Sequence, residues 1–323
     1  MNNKLIISIL LIGYLALASS CTAEAQGDIA HAELASPMPL PISGFDQVIP
    51  LRELGNIRLQ NSLQNEIDKR PKWKKMISNK KMAIGLVDLS DLSNIKFASV
   101  NGNYMMYAAS LPKIAVLLAA TDAIENGELE ETEEVKNDMK IMISNSNNAA
   151  TTRMIDRVGY EKIEEILTSD RYNLYDPELG GGLWVGKRYG GGGDTNREPL
   201  KNLSHAATVT QVCRFYYLLS MGQLINEDRS KQMLDIMEAP ALHHKFVNTL
   251  DKIAPDARLF RKSGSWKTYH SDSILVWEDG TFRKYILVAL IDDPDGEQII
   301  RDMIVPIERA LKKTNDFKRK NTF

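Results

Sequence analysis

The spacing of apolar residues changes several times along the chain, and each change marks an element. Leu51, Leu54, Leu59, Leu63 and Ile67 recur among polar residues, which predicts an amphipathic helix over 51–68. The run Met82-Ala-Ile-Gly-Leu-Val-Asp-Leu89 is compact, apolar and bounded by charge, as a buried strand would be, and 95–100 reads as its partner. Leu111 to Ala123 is a long, largely apolar helical stretch. Pro112 stands at an early helical position, where its missing N–H costs nothing, and Asn126-Gly127 closes the helix.

From about 131 to 240 the pattern is mostly helical, interrupted by the glycine-dense stretches Gly180 to Gly182 and Gly190 to Gly193. Thr208 with Gln211 has the spacing of a capping box, opening the helix that carries Cys213. Strand signals return at 258–262, 271–277 and 285–291, with Glu278-Asp279-Gly280 as the turn between the last two, and a final helix is expected over 297–312. Strands at both ends with helices between imply an α/β (α+β) fold. One sheet is assembled from distant segments, and a helical lobe is inserted into it.

The first segment stands outside that fold. Lys4 precedes the apolar run Leu5 to Leu17, which is too short to span a bilayer comfortably and is followed by small residues, so 1–20 reads as a signal peptide. Ala-Ser-Ser-Cys21 resembles a lipobox, which would leave a lipid anchor on Cys21; Ala23-Glu24-Ala25 fits ordinary signal peptidase instead. Either cleavage puts the protein outside the cytoplasm, in the periplasm. Residues 21–48 are rich in Ala, Pro and Ser and read as a tether, leaving 49–323 as one folded domain.

Composition excludes several functions. The 323 residues are 43% apolar and 25% charged with a net charge of -2, and the pI near 6.3 offers no basic field for nucleic acid. Cys213 alone would remain in the mature chain, in an apolar helical setting that predicts an inert buried thiol and no disulfide. His205, His243, His244 and His270 lack metal-ligand spacing, and Gly186-Lys187-Arg188 lacks the Ser or Thr of a phosphate loop, so no metal or cofactor is called for.

Candidate chemistry lies in three motifs: Ser110-Leu-Pro-Lys113, Ser146-Asn-Asn148 and Lys262-Ser-Gly264. With Ser110 at a helix start and Lys113 one turn on, both side chains face the same way. Backbone N–H groups at such a terminus favour developing negative charge. A lysine amine can serve as base for a serine if burial and a second cation, here Lys262, depress its pKa. Ile114 to Ala120 are all apolar, which supports burial of Lys113.

In this order the motifs resemble the Ser-x-x-Lys, Ser-Asp-Asn and Lys-Thr-Gly set of class A β-lactamases and penicillin-binding proteins. The resemblance runs from about 53 to 312 and includes Met142 to Thr151 and Phe260 to Ser265. It implies a β-lactamase/transpeptidase-like fold, with an antiparallel sheet flanked by helices, and a monomer acting on a β-lactam or a peptidoglycan-derived substrate. It implies further that Ser110 is the acylated nucleophile, Lys113 its proton acceptor, and Ser146 the proton shuttle to the leaving nitrogen. Asn148 would bind the substrate's side-chain amide, Lys262 and Ser263 its carboxylate, and Gly264 would keep the strand clear. The backbone N–H groups of Ser110 and Ser265 would form the oxyanion hole.

The departures concern the second half of the cycle. Asn147 and Ser263 replace the motifs' Asp and Thr, both mild exchanges, and the interval from Ser110 to Ser146 is short. Aligned on Pro-Glu-Leu, Asp176 falls where the resemblance expects a water-activating glutamate, with Glu178 as the other carboxylate in reach. The reading is therefore a β-lactam hydrolase. A DD-peptidase, an amidase or esterase on the same scaffold, or a slow penicillin-binding sensor are its alternatives. Trp266, Tyr269 and His270 are candidates for the walls of the cleft.

Overall fold

The computed structural model describes residues 48–320. The expected leader, the tether and Cys21 lie outside these residues, apart from Val48. Helices α1 (Ile57–Asp68) and α2 (Pro71–Ser78) lead into strands β1 (Met82–Asp88) and β2 (Lys96–Val100). After the short β3 (Met106–Tyr107) come α3 (Lys113–Glu125), α4 (Glu133–Ser144), α5 (Asn148–Val158) and α6 (Tyr160–Thr168). The glycine-dense region carries β4 (Tyr175–Asp176), β5 (Gly181–Gly182), β6 (Trp184–Val185) and β7 (His205–Ala207). Helices α7 (Val209–Ser220), α8 (Glu227–Met237) and α9 (Phe246–Ile253) precede β8 (Arg258–Trp266), β9 (Tyr269–Trp277), β10 (Lys284–Asp292) and α10 (Gly296–Lys320).

The main sheet runs β2-β1-β10-β9-β8 with every pairing antiparallel, so the first strand is completed by the last. Side chains alternate between two cores. Ala83 and Val87 of β1 face the core shared with α3 and α7, while Ile84 and Leu86 face the one shared with α1, α9 and α10. Every residue from Lys113 to Ile124 is buried, so α3 is apolar on all sides because it is wrapped on all sides.

β8 forms one edge of the sheet, and a buried ion pair holds it in register. Arg261 donates to Asp272 on β9 at 2.7 and 3.0 Å, and Asp272 also accepts from the N–H groups of Phe246 (3.1 Å) and Ser273 (3.1 Å). Neither ion is exposed, so breaking the pair would strand a charge at a cost of about 3–5 kcal/mol.

Several elements differ from the sequence expectation for local reasons. The first helix is split into a 3-10 turn, Leu51–Leu54, and α1, because Gly55 bridges to Phe97 and the Asn56 side chain caps Arg58 and Leu59. The capping box at α7 is half made: Thr208 Oγ1 accepts from Gln211 N at 3.3 Å, but Gln211 Oε1 has no partner. The final helix runs through Pro306 and beyond the expected end. Cys213 is a free, buried thiol, as expected. Among the described residues no helix is long and apolar enough to cross a membrane, and no cluster could hold a metal ion.

Candidate active site

Ser110 lies in the turn just before α3, two residues ahead of the N-cap Pro112 rather than inside the helix. Ala109, immediately before it, has φ 51°, and its carbonyl accepts the Tyr189 hydroxyl at 3.1 Å. The free edge of β8 presses on this turn. A methyl built on Gly264 would lie 2.5 Å from both Ala108 O and Ser110 N, so only glycine lets the strand approach so closely. Ser271 Oγ on β9 donates to Ala108 O at 2.7 Å and fastens the same turn.

The second motif reaches the first through Lys113. Its Nζ donates to Ser146 O at 2.7 Å and Asn148 Oδ1 at 2.8 Å, and lies 3.5 Å from Ser146 Oγ. These bonds go to Ser146 and to the first residue of α5, not to the Ser110 hydroxyl. Ser146 itself has φ 56°, which turns the chain so that Asn147 caps α5 by accepting from Ala150 N. The Asn in place of Asp at 147 is thus a helix cap.

Lys262 supplies the third corner. Fully buried on β8, it donates to Ser146 Oγ at 2.9 Å and to Ser263 O at 2.8 Å. Two lysines therefore converge on one serine hydroxyl. Burial brings the Lys113 amine down to about 7. Burial, with Lys113 adding to it, holds Lys262 well below the usual lysine range. That shift brings the unprotonated amine, which can accept a proton, within reach near neutral pH.

The cleft over Ser110 has a volume of about 710 Å³, and its walls include Tyr107, Asn148, Tyr189, His205, Ser265, Trp266 and Tyr269. Tyr189 lays its ring 4.5 Å from Lys113 Nζ and packs against His205 with ring centroids 4.2 Å apart and the planes tilted by 47°. Burial, with Lys113 adding a smaller push, brings His205 down to about 4; its Nε2 faces Lys187 O at 3.0 Å, so the ring is neutral and donates there. Lys187, Arg188 and Lys267 complete a wall that carries cations and, among the described residues, no carboxylate.

Asp176 does not line this cleft. It lines a different hollow, together with Glu178, Glu164 and Asp170, and feels the charge of Arg52. Its carboxylate accepts from the N–H groups of Glu178 (2.9 Å) and Leu179 (3.3 Å), capping the 3-10 turn Pro177–Leu179. An Asp ahead of Pro is a natural turn cap. The structure brings together Ser110, Lys113, Ser146, Asn148, Lys262, Ser263, Gly264 and Ser265, and leaves both Asp176 and Glu178 out. His270 is not on the cleft wall; it packs against Gly296.

Sequence reasoning missed Tyr189 and Lys245. Tyr189 follows Gly186-Lys187-Arg188 in the loop set aside as a phosphate site, and the only signal was an aromatic amid glycines. Lys245, in a polar stretch after His244, carried no signal, yet it is fully buried under Ser265.

A family model described as the beta-lactamase enzyme family matches residues 63–141 and 134–314. No curated protein matches the chain. Among solved structures it is similar to a β-lactamase from Sphaerobacter thermophilus at 16% identity and TM-score 0.60, covering 79% of this chain and 97% of that one. It is similar to PBP-A at 18% identity and TM-score 0.57, covering 84% and 100%. A class A β-lactamase representative from Bacteroides cellulosilyticus follows at 16% identity and TM-score 0.58, covering 80% and 99%. At these identities the likeness is one of fold.

Proposed function

The chain belongs to the β-lactamase enzyme family, and we propose that it opens β-lactam amides through an acyl-enzyme on Ser110. The observation that carries the reading is the convergence of Lys113 and Lys262 on Ser146 Oγ, at 3.5 and 2.9 Å, beside a cleft that Ser110 lines.

The neutral Lys113 amine takes the Ser110 proton, and Ser110 Oγ attacks the ring carbonyl. The oxyanion is met by the backbone N–H groups of Ser110 and Ser265. As the C–N bond breaks, the ring nitrogen takes a proton from Ser146 Oγ, which is resupplied from Lys113; Lys262 holds that hydroxyl in line. Asn148 and the cationic wall orient the amide and the carboxylate of the substrate.

Release is the slower half. Among the described residues the cleft wall carries no carboxylate to activate water, and Asp176 lines a different hollow. This favours a second reading, a penicillin-binding hydrolase whose acyl-enzyme persists. One PBP-A variant was itself solved as an acyl-enzyme with penicillin G.

Intact-mass measurement with benzylpenicillin, alongside nitrocefin turnover, tests both readings. A single adduct on Ser110 that Ser110→Ala abolishes is expected. Neither adduct nor turnover in the wild type would sink them. A persistent adduct selects the second reading, rapid decay the first. We also assign the protein to the periplasm, lipidated at Cys21 or cleaved after Ala25, which the mass of the mature N-terminal peptide distinguishes.

A further inference from the structure

Behind the cleft lies another buried lysine that this scheme leaves idle. Lys245 precedes α9, has no solvent exposure, and donates to Gly264 O at 2.6 Å, Ser265 Oγ at 2.8 Å and Ser271 O at 3.0 Å. Its three protons are all used, and none goes to a carboxylate. Asp272, whose charge it feels, gives its oxygens to Arg261, Phe246 N and Ser273 N. The Lys245 backbone sits at φ 56°, ψ -126°, a conformation that costs a non-glycine residue of order 1–3 kcal/mol. A strained, buried cation aimed at a main-chain carbonyl calls for a reason.

The Gly264 carbonyl and the Ser265 N–H belong to one planar peptide and point in opposite directions. With the carbonyl held by Lys245, the N–H is turned the other way. The Gly264 Cα in the same unit lies against Ser110 N and Leu111 N. A cation on an amide oxygen draws the amide electrons towards oxygen and leaves the N–H a stronger donor.

We infer that Lys245 is a positioning residue that orients and polarises the Gly264–Ser265 peptide, making Ser265 N–H the stronger oxyanion donor to the tetrahedral intermediate on Ser110. This rests on the acyl-enzyme reading of Ser110. It assigns Lys245 no contact with substrate; the lysine acts entirely through the peptide.

The charge on Lys245 can be titrated. Burial brings it down to about 8, against the opposing pull of Asp272 and Glu297 and with Arg261 assisting. His244, His270 and Lys262 also face it, and all three are held below their ordinary values by burial. Above about pH 8 the cation is lost, and with it the polarisation.

Wild type, Lys245→Met and Lys245→Arg are compared in nitrocefin acylation, in phenylboronic acid binding as a tetrahedral mimic, and in the infrared carbonyl stretch of the acyl-enzyme ester. In Lys245→Met the acylation rate constant should fall about tenfold with the initial-complex Kd unchanged, and phenylboronic acid should weaken by a similar factor. The ester band should move to higher wavenumber. In the wild type that band should move the same way as pH rises through about 8, and Lys245→Arg should lose this titration while keeping most of the rate. Unchanged acylation and boronate affinity in Lys245→Met, or a pH-independent wild-type band, overturns the inference while leaving Ser110 its role. Should Lys245→Met fail to fold, the wild-type titration and the Arg variant decide alone. If wild type forms no acyl-enzyme with nitrocefin, the reading of Ser110 falls and the inference with it.

Discussion

Gly264→Ala is the most direct probe of the way the sheet edge meets the Ser110 turn. The added methyl would stand 2.5 Å from Ala108 O, 2.5 Å from Ser110 N and 2.8 Å from Leu111 N. All three are main-chain atoms, so no side chain can swing aside. Ordinary contact begins near 3.4 Å, which obliges β8 and the Ser110 turn to part by about 0.9 Å. Such a gap separates Ser110 from Ser265 N–H and from Lys262 together. A misplacement of about 1 Å in a reacting constellation costs on the order of 10²-fold in rate, and the overpacking itself about 1–3 kcal/mol of stability. Stopped-flow acylation by nitrocefin reads the first and urea unfolding the second. An Ala variant acylated within about threefold of wild type would refute the reasoning, because β8 could not then be seated against Ser110 as described.

Other outcomes follow from the same geometry. The acylation rate should rise with pH and level off, with a midpoint near the Lys113 value of about 7, because the unprotonated amine is the active form; a flat single-turnover profile across that range would count against Lys113 as the base. Asp176→Asn should leave the lifetime of the acyl-enzyme unchanged, since the carboxylate caps a turn and Asn can cap as well; a lengthened lifetime by intact mass would restore Asp176 to the cycle. Asp272→Asn should lower the unfolding free energy by about 3–5 kcal/mol in denaturant titration, by leaving Arg261 buried without its counter-charge.

What could be read from the sequence was what local spacing controls. Ser110 and Lys113 share a helical turn, Ser146 and Asn148 bracket a helix cap, and Lys262 to Ser265 follow one another along a strand. The sheet was legible as separate apolar runs at the two ends of the chain, though the pairing of β1 with β10 was only implied. Asp176 misled because alignment on Pro-Glu-Leu supplies an order of residues, not a direction for a side chain that has two backbone N–H groups close by. Lys245 was invisible because nothing near it in sequence reports burial; its partners lie at 264, 265 and 271. The half-made capping box has the same lesson in reverse, since a correct spacing still leaves Gln211 Oε1 without a partner.

The sheet order also governs when the site around Ser110 can be assembled. Ser110 leaves the ribosome well before Lys262, which is made roughly 150 residues later, and β1 gains its partner β10 later still. Until then the nascent chain carries Ser110 with no Lys262 beside it and a β1 edge with nothing to pair to, the kind of edge that invites association with other chains. On the proposed chemistry, a chain still being synthesised therefore lacks a complete site. It is also most in need of a chaperone during that interval, and a chain stopped before β8 should aggregate rather than react.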